Sequence, residues 1–160
     1  VPFCKSDFDL FISWVHSKEL LATIAGTDFT YPLTHDQLNV YLEEKNSYSF
    51  KVVSMADGNT IGHAEISLTG NGTCKFDKLI IGDTSYRGKG TGQALIKKLL
   101  EYSFTTLKIT TVFLNVFDWN TAAIKCYEKC GFKINPNKQF NCIVGNQNWT
   151  ALNMTFDKAE

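Results

Sequence analysis

The sequence has no surplus of either charge: 16 Lys and Arg stand against 16 Asp and Glu. No global field therefore draws the chain to nucleic acid or to an anionic membrane, and no basic stripe interleaves with aromatics as nucleic-acid binding requires. It lacks an apolar run long enough to cross a bilayer. Histidine is scarce; His16, His35 and His63 are scattered, without metal-ligand spacing, so no metal is expected. The five cysteines, Cys4, Cys74, Cys126, Cys130 and Cys142, form an odd, dispersed set that fits free thiols in a reducing compartment. Val1–Lys5 carries no signal-peptide pattern, so the expectation is a cytoplasmic protein. The Asn-x-Thr sequons at Asn71, Asn148 and Asn153 are then read as chance. With no internal repeat, low-complexity tract or linker, the 160 residues are expected to form one domain, 1–160.

What is present is strong local periodicity. Phe8, Phe11, Ile12 and Val15 make an apolar helical stripe within 7–22, with a second short helix expected from Lys18 to Ala22. Thr34-His35-Asp36-Gln37 reads as a capping box that opens a helix carrying Leu38, Tyr41 and Leu42. Strands are expected at 48–55 and 60–68 around the turn Asp57-Gly58, and at 74–81 after Gly70-Asn71-Gly72. A helix follows from Gly92 to about Phe104, then a strand at 108–117 and a helix from Thr121 to Cys130 that stops at Gly131. Phe132–Ile134 begins another strand, and 140–144 pairs with 149–156 across Gly145-Asn146. The helix between 74–81 and 108–117 is a crossover, which makes those two strands parallel. The fold class is therefore α/β in the mixed sense: a mostly antiparallel sheet with one parallel pair and helices on both faces.

The most informative stretch is Leu79–Gly92. The apolar Leu79-Ile80-Ile81 ends a buried strand, and Arg87-Gly88-Lys89-Gly90-Thr91-Gly92 runs directly into the helical stripe Leu95, Ile96, Leu99 and Leu100. Glycines let the backbone approach a ligand. The unpaired N–H groups of a first helical turn suit a phosphate, and Arg87 and Lys89 add cationic donors. The physical reading is a pyrophosphate cradle; the plainer one is a tight turn whose glycines serve packing. A Walker A loop is absent, and Gln93 stands where a dinucleotide fingerprint needs its third glycine. The second block is Leu114–Phe132, where Asn120, Ala123, Ile124 and Tyr127 share one helical face. Tyr127 is a polar-tipped aromatic able to give up a proton, and equally an ordinary core aromatic.

Together these blocks resemble the GNAT superfamily of acyl-CoA-dependent N-acetyltransferases. Arg87-Gly-Lys-Gly90-Thr-Gly92 is similar to its Arg/Gln-x-x-Gly-x-Gly/Ala signature, and Leu-Asn-Val…Asn120-x-x-Ala123…Tyr127-Glu-Lys-Cys-Gly-Phe to its second signature. Trp14, Tyr31-Pro32-Leu33-Thr34…Leu38 and Gly62-His63 resemble the ribosomal-protein acetyltransferase branch. The resemblance implies a GNAT-like fold and acetyl-CoA as cosubstrate. It implies that Leu79, Ile80 and Ile81 offer strand backbone to the pantetheine arm. Arg87, Gly88, Lys89, Gly90, Thr91 and Gly92 would hold the pyrophosphate, and Asn115, Asn120 and Ala123 would line the cofactor. Tyr127 matches the general acid that protonates the departing thiolate.

The strand before the loop has no Glu at the base position, placed near Cys74; Glu65 and Asp77 are the nearest candidates. Each also reads as a solvated strand residue, with a water relay in its place. Phe29 and Tyr31 suit either an acceptor wall or the core, and Trp14 the core. Cys126 and Cys130 share a helix face without companion ligands, so packing explains them. The expected activity is direct transfer of acetyl to a primary amine, either a small molecule such as a polyamine or a protein N-terminus, by a monomer or homodimer. The alternative is a non-catalytic acyl-CoA-binding or sensing module.

Overall fold

Alternating apolar and polar residues build three antiparallel strands in the computed structural model, which describes residues 1–159. They are β1 (Ser47–Val53), β2 (Thr60–Gly70) and β3 (Thr73–Ile81). Three short helices precede them: α1 (Phe8–Trp14), α2 (Lys18–Ala25) and α3 (His35–Leu42). Ser17 caps α2 by accepting from the Leu20 N–H at 3.1 Å, and the helix runs on to Ala25, three residues beyond the expected end. Thr34 caps α3 as expected, but the Gln37 amide does not close the box. It reaches instead to the carbonyls of Thr30 and Pro32, at 3.0 and 3.1 Å.

Helix α4 (Thr91–Thr105) carries the chain across to β4 (Thr111–Phe117), followed by α5 (Thr121–Lys129), β5 (Lys133–Val144) and β6 (Gln147–Asp157). Strand β4 starts three residues later than its β-branched run suggests. Lys108 adopts a left-handed φ of +56°, and the Ile109 N–H is spent on the Ser103 carbonyl at 3.0 Å. The separate strands expected at 132–134 and 140–144 are one strand, β5, because an irregularity between Ile134 and Gln139 absorbs the polar residues between them.

The six strands lie in the order β1-β2-β3-β4-β6-β5, with β3 and β4 the expected parallel pair. Helices cover both faces. Helices α4 and α5 close a core of Ile66, Phe76, Leu99, Leu114 and Met154, and α1–α3 close a second one around Phe3, Phe8, Phe11 and Leu38. Each such side chain contributes about 1.5–3 kcal/mol of burial. Trp14 packs against the second core, where its ring lies on the backbone of Gly82 so closely that no Cβ would fit. Asn153 is buried, which agrees with reading its sequon as chance, and all five cysteines are free. No described helix is long and apolar enough to cross a membrane.

Candidate active site

The site begins with a register fact. Strands β3 and β4 pair only from Thr73 to Lys75 against Thr111 to Phe113. Beyond those residues they diverge, and the gap opens between Phe76–Ile81 and Leu114–Phe117. Backbone groups facing a gap need partners, so the gap is a place for an extended ligand. At its open end the chain supplies a helix N-terminus. Gly90, at φ +78°, precedes α4 and provides no side-chain cap, so the first-turn N–H groups remain available. A Cβ added at Gly88 or Gly90 would meet nothing within 4 Å, so this face of the loop is open. These features fit a pyrophosphate and a pantetheine arm, and no described group of side chains could hold a metal.

The expected cofactor residues fall around this gap. Arg87, Gly88, Lys89 and Gly90 are exposed, Thr91 and Gly92 half-buried. The Arg87 Nε donates to the Ile81 carbonyl at 2.8 Å, so the guanidinium is braced against the strand end and that carbonyl is already engaged. Leu79 packs toward the α4 core and Ile80 toward the α1–α3 core. Asn120 caps α5, its Oδ1 accepting from the Ala123 N–H at 3.4 Å. Asn115 is exposed on β4, and its Oδ1 accepts from Asn153 at 3.0 Å. Tyr127 is half-buried near Phe132, their ring centroids 6.2 Å apart. Burial raises its pKa above the ordinary phenol range, with the Cys126 and Asp77 charges adding to it. Its hydroxyl therefore stays protonated through neutral pH.

The two base candidates occupy different environments. Asp77 is half-buried, accepts from Lys75 Nζ at 2.5 Å and from the Lys78 N–H at 2.9 Å, and its field reaches Tyr127. Glu65 is 1% exposed beneath α1–α3; Oε1 accepts from Ser67 at 2.6 Å, while Oε2 accepts no hydrogen bond and has the Lys78 ammonium beside it, at 3.4 Å. Cys74 lies where β3 and β4 are still paired, faces the α4 core, and has its pKa pushed up to about 11 by burial. The first polar side chain beyond the paired segment is thus Asp77.

Residues to which sequence reasoning gave no part in the site complete the arrangement. Strand β3 carries one extra residue opposite β2, where the register steps from Glu65↔Asp77 to His63↔Ile80. The bulge centres on Lys78, at φ +48°. Its Nζ lies 2.8 Å from Asp28 and 3.4 Å from Glu65, with the Tyr41 ring centroid at 5.3 Å. The only signal in the sequence is the pair Asp77-Lys78 interrupting an otherwise apolar strand end. His63, wholly buried, stacks on Phe11 at 4.6 Å and donates from Nδ1 to the Lys78 carbonyl at 2.8 Å. Burial lowers its pKa to about 4.

Above the gap, α2 packs against β3 on one side and β5 on the other. A cavity of about 340 Å³ lies between α2, the loop Gly26–Tyr31 and Ile143–Val144 of β5. Phe29 and Tyr31 form part of its wall, and Phe29 also packs on the α1–α3 core. A second cavity, about 220 Å³, lies across the same loop, bounded by Asp28, Phe29, Tyr41, Glu44 and Lys78.

A model of the acetyltransferase (GNAT) family matches residues 11–132. The chain is 30% identical over 115 residues to the spermine/spermidine N(1)-acetyltransferase of Bacillus subtilis (strain 168), covering 66% of this chain and 75% of that protein. It is 23% identical over 175 aligned positions to an N-acetyltransferase 9-like protein of Nematostella vectensis, covering 100% of this chain and 87% of that one. In fold it is similar to the crystal structure of the Vibrio cholerae spermidine N-acetyltransferase in complex with CoA and spermine. The TM-score is 0.83 at 21% identity, covering 98% of this chain and 93% of that one.

Proposed function

The chain belongs to the acetyltransferase (GNAT) family, and on that premise we propose that its acceptor is a small polycationic amine of the polyamine class and that residues 1–160 work as one catalytic domain. Membership makes it an N-acetyltransferase that uses acetyl-CoA, and favours catalysis over a sensing role. The observation that carries the acceptor reading is the convergence of Asp28, Glu65 and Asp77, from three separate segments, at the bulge of β3. With Glu44 on the adjoining cavity, these carboxylates outnumber Lys75 and Lys78, so the site favours a cation. The activities named for the relatives from Bacillus subtilis and Vibrio cholerae support the same reading. They give none to a protein N-terminus or to the ribosomal-protein branch.

Acetyl-CoA supplies the activated acetyl group. Backbone of Leu79, Ile80 and Ile81, other than the Ile81 carbonyl that Arg87 engages, binds and orients it together with the N–H groups from Gly88 to Gly92, with Asn115, Asn120 and Ala123 along its length; the Arg87 N–H, expected in this set, is spent on the Thr84 carbonyl at 3.2 Å. The amine enters as an ammonium and must lose a proton to attack. Asp77 is the proposed acceptor of that proton, since it is the less sealed carboxylate and shares its field with Tyr127. The Tyr127 hydroxyl gives its proton to the departing sulfur. The test is thiol release from acetyl-CoA against polyamines, aminoglycosides, amino acids and short peptides. Turnover on polyamines is expected; turnover confined to peptides refutes the acceptor assignment.

A further inference from the structure

A lysine at positive φ is strained, and such strain persists only where the surroundings over-determine it. Lys78 combines that backbone with a side chain only 4% exposed. Burial alone pushes its pKa down, but Asp77, Glu65 and Asp28 outweigh burial and keep the ammonium charged. The contacts are specific: Asp28 Oδ2 at 2.8 Å, the Glu65 carboxylate at 3.4 Å, Phe29 and Tyr41 ring centroids at 5.7 and 5.3 Å. Asp28 and Phe29 belong to the loop after α2, which walls both cavities. On its far side the loop is held by Gln37, whose Oε1 accepts from the Thr30 N–H at 2.8 Å.

We propose that Lys78 is a positioning residue: its ammonium pins the Gly26–Tyr31 loop, through Asp28 and Phe29, to the bulge of β3. This fixes the wall of the acceptor cleft relative to the gap between β3 and β4. The bulge serves the anchor, because the extra residue turns Lys78 onto the α1–α3 face beside Asp77, where regular alternation would send it to the α4 core. The cage of carboxylates and rings is filled by this internal ammonium, so an acceptor cation binds beside it. The role in catalysis rests on reading the cleft as the amine site; the mechanical role does not.

The test uses the full chain with Asp28→Asn, Lys78→Met and the double variant. Hydrogen exchange over residues 26–31 reads the anchor without any turnover, and steady-state kinetics with the best amine of the panel reads its consequence. Asp28→Asn removes the pair at a half-exposed carboxylate, so it decides the matter even where Lys78→Met fails to fold. Each single variant is expected to speed loop exchange and raise the acceptor KM about tenfold, with kcat within twofold and acetyl-CoA affinity unchanged. The double variant is expected to be no worse than Lys78→Met, since both remove one link. Unchanged loop exchange in Asp28→Asn, or additive effects in the double variant, overturns the anchor. A loosened loop with unchanged acceptor KM overturns its link to the cleft. Absence of turnover on every amine refutes the functional reading alone, and the exchange data still decide the anchor.

Discussion

Acidification from pH 7 to pH 4 is expected to cost the fold about 3 kcal/mol through His63 alone. The ring is wholly buried, stacked on Phe11 and set edge-on to Phe3, and burial lowers its pKa from 6.5 to about 4. In the unfolded chain the imidazole takes up its proton as pH falls through about 6.5, while the folded chain refuses it until about 4. The unfolded state thus binds more protons across that window, and stability falls by ~1.4 kcal/mol per pH unit until the folded pKa is reached. Below it His63 makes no further change. With a urea m-value of about 1.5–2 kcal/mol/M, the midpoint moves down by roughly 1.5–2 M. Urea unfolding at pH 7, 6, 5 and 4, for the parent and for His63→Gln, isolates the effect. The variant keeps an N–H donor for the Lys78 carbonyl and loses the titration, so its curve is flatter across this window. Parallel pH dependence in parent and variant refutes the argument.

Tyr127→Phe keeps the ring against Phe132 and removes the proton donor. kcat is expected to drop about 10²-fold at pH 7, with acetyl-CoA affinity unchanged, and the deficit shrinks above the ordinary thiol pKa of about 8.5; parent-like turnover at pH 7 removes Tyr127 from the mechanism. Asp77→Asn is expected to lower kcat/KM about 10²-fold, whereas Glu65→Gln mainly costs stability, about 2–4 kcal/mol, because Lys78 loses a buried partner. The reverse pattern, in paired activity and melting measurements, transfers the base role to Glu65. Gly82→Ala drives a methyl into the rigid Trp14 ring and is expected to cost about 1–3 kcal/mol in urea unfolding; an unchanged midpoint contradicts the packing described.

Much of this molecule is legible in short stretches because the signals are local. Ser17 and Thr34 cap their helices with side chains that act within three residues. Gly90 frees the N-terminus of α4 by its own backbone conformation, and the crossover through α4 dictates that β3 and β4 run parallel. Helix α2 outruns its sequence signal because its last turn, Thr23–Ala25, is held by burial of Ile24 and Ala25 rather than by a terminal signal. Strand β5 reads in sequence as two pieces because the residues across its irregularity, Asn135–Lys138, are polar and one is proline.

Local sequence sets the order of elements, the glycine loop at a helix start, and Tyr127 and Asn120 on one face of α5, since each depends on residues a turn or a strand apart. Long-range packing settles which charges meet. Asp28 and Lys78 are 50 positions apart, and Glu65 and Lys78 13; no local pattern announces their contact, because ion pairing has no period in sequence. It also decided the states of two residues that looked ordinary. His63 is held neutral because helices α1 and α3 and the sheet together exclude water from it. Lys78 is held charged because the same burial brings carboxylates to it from the strands and from a loop.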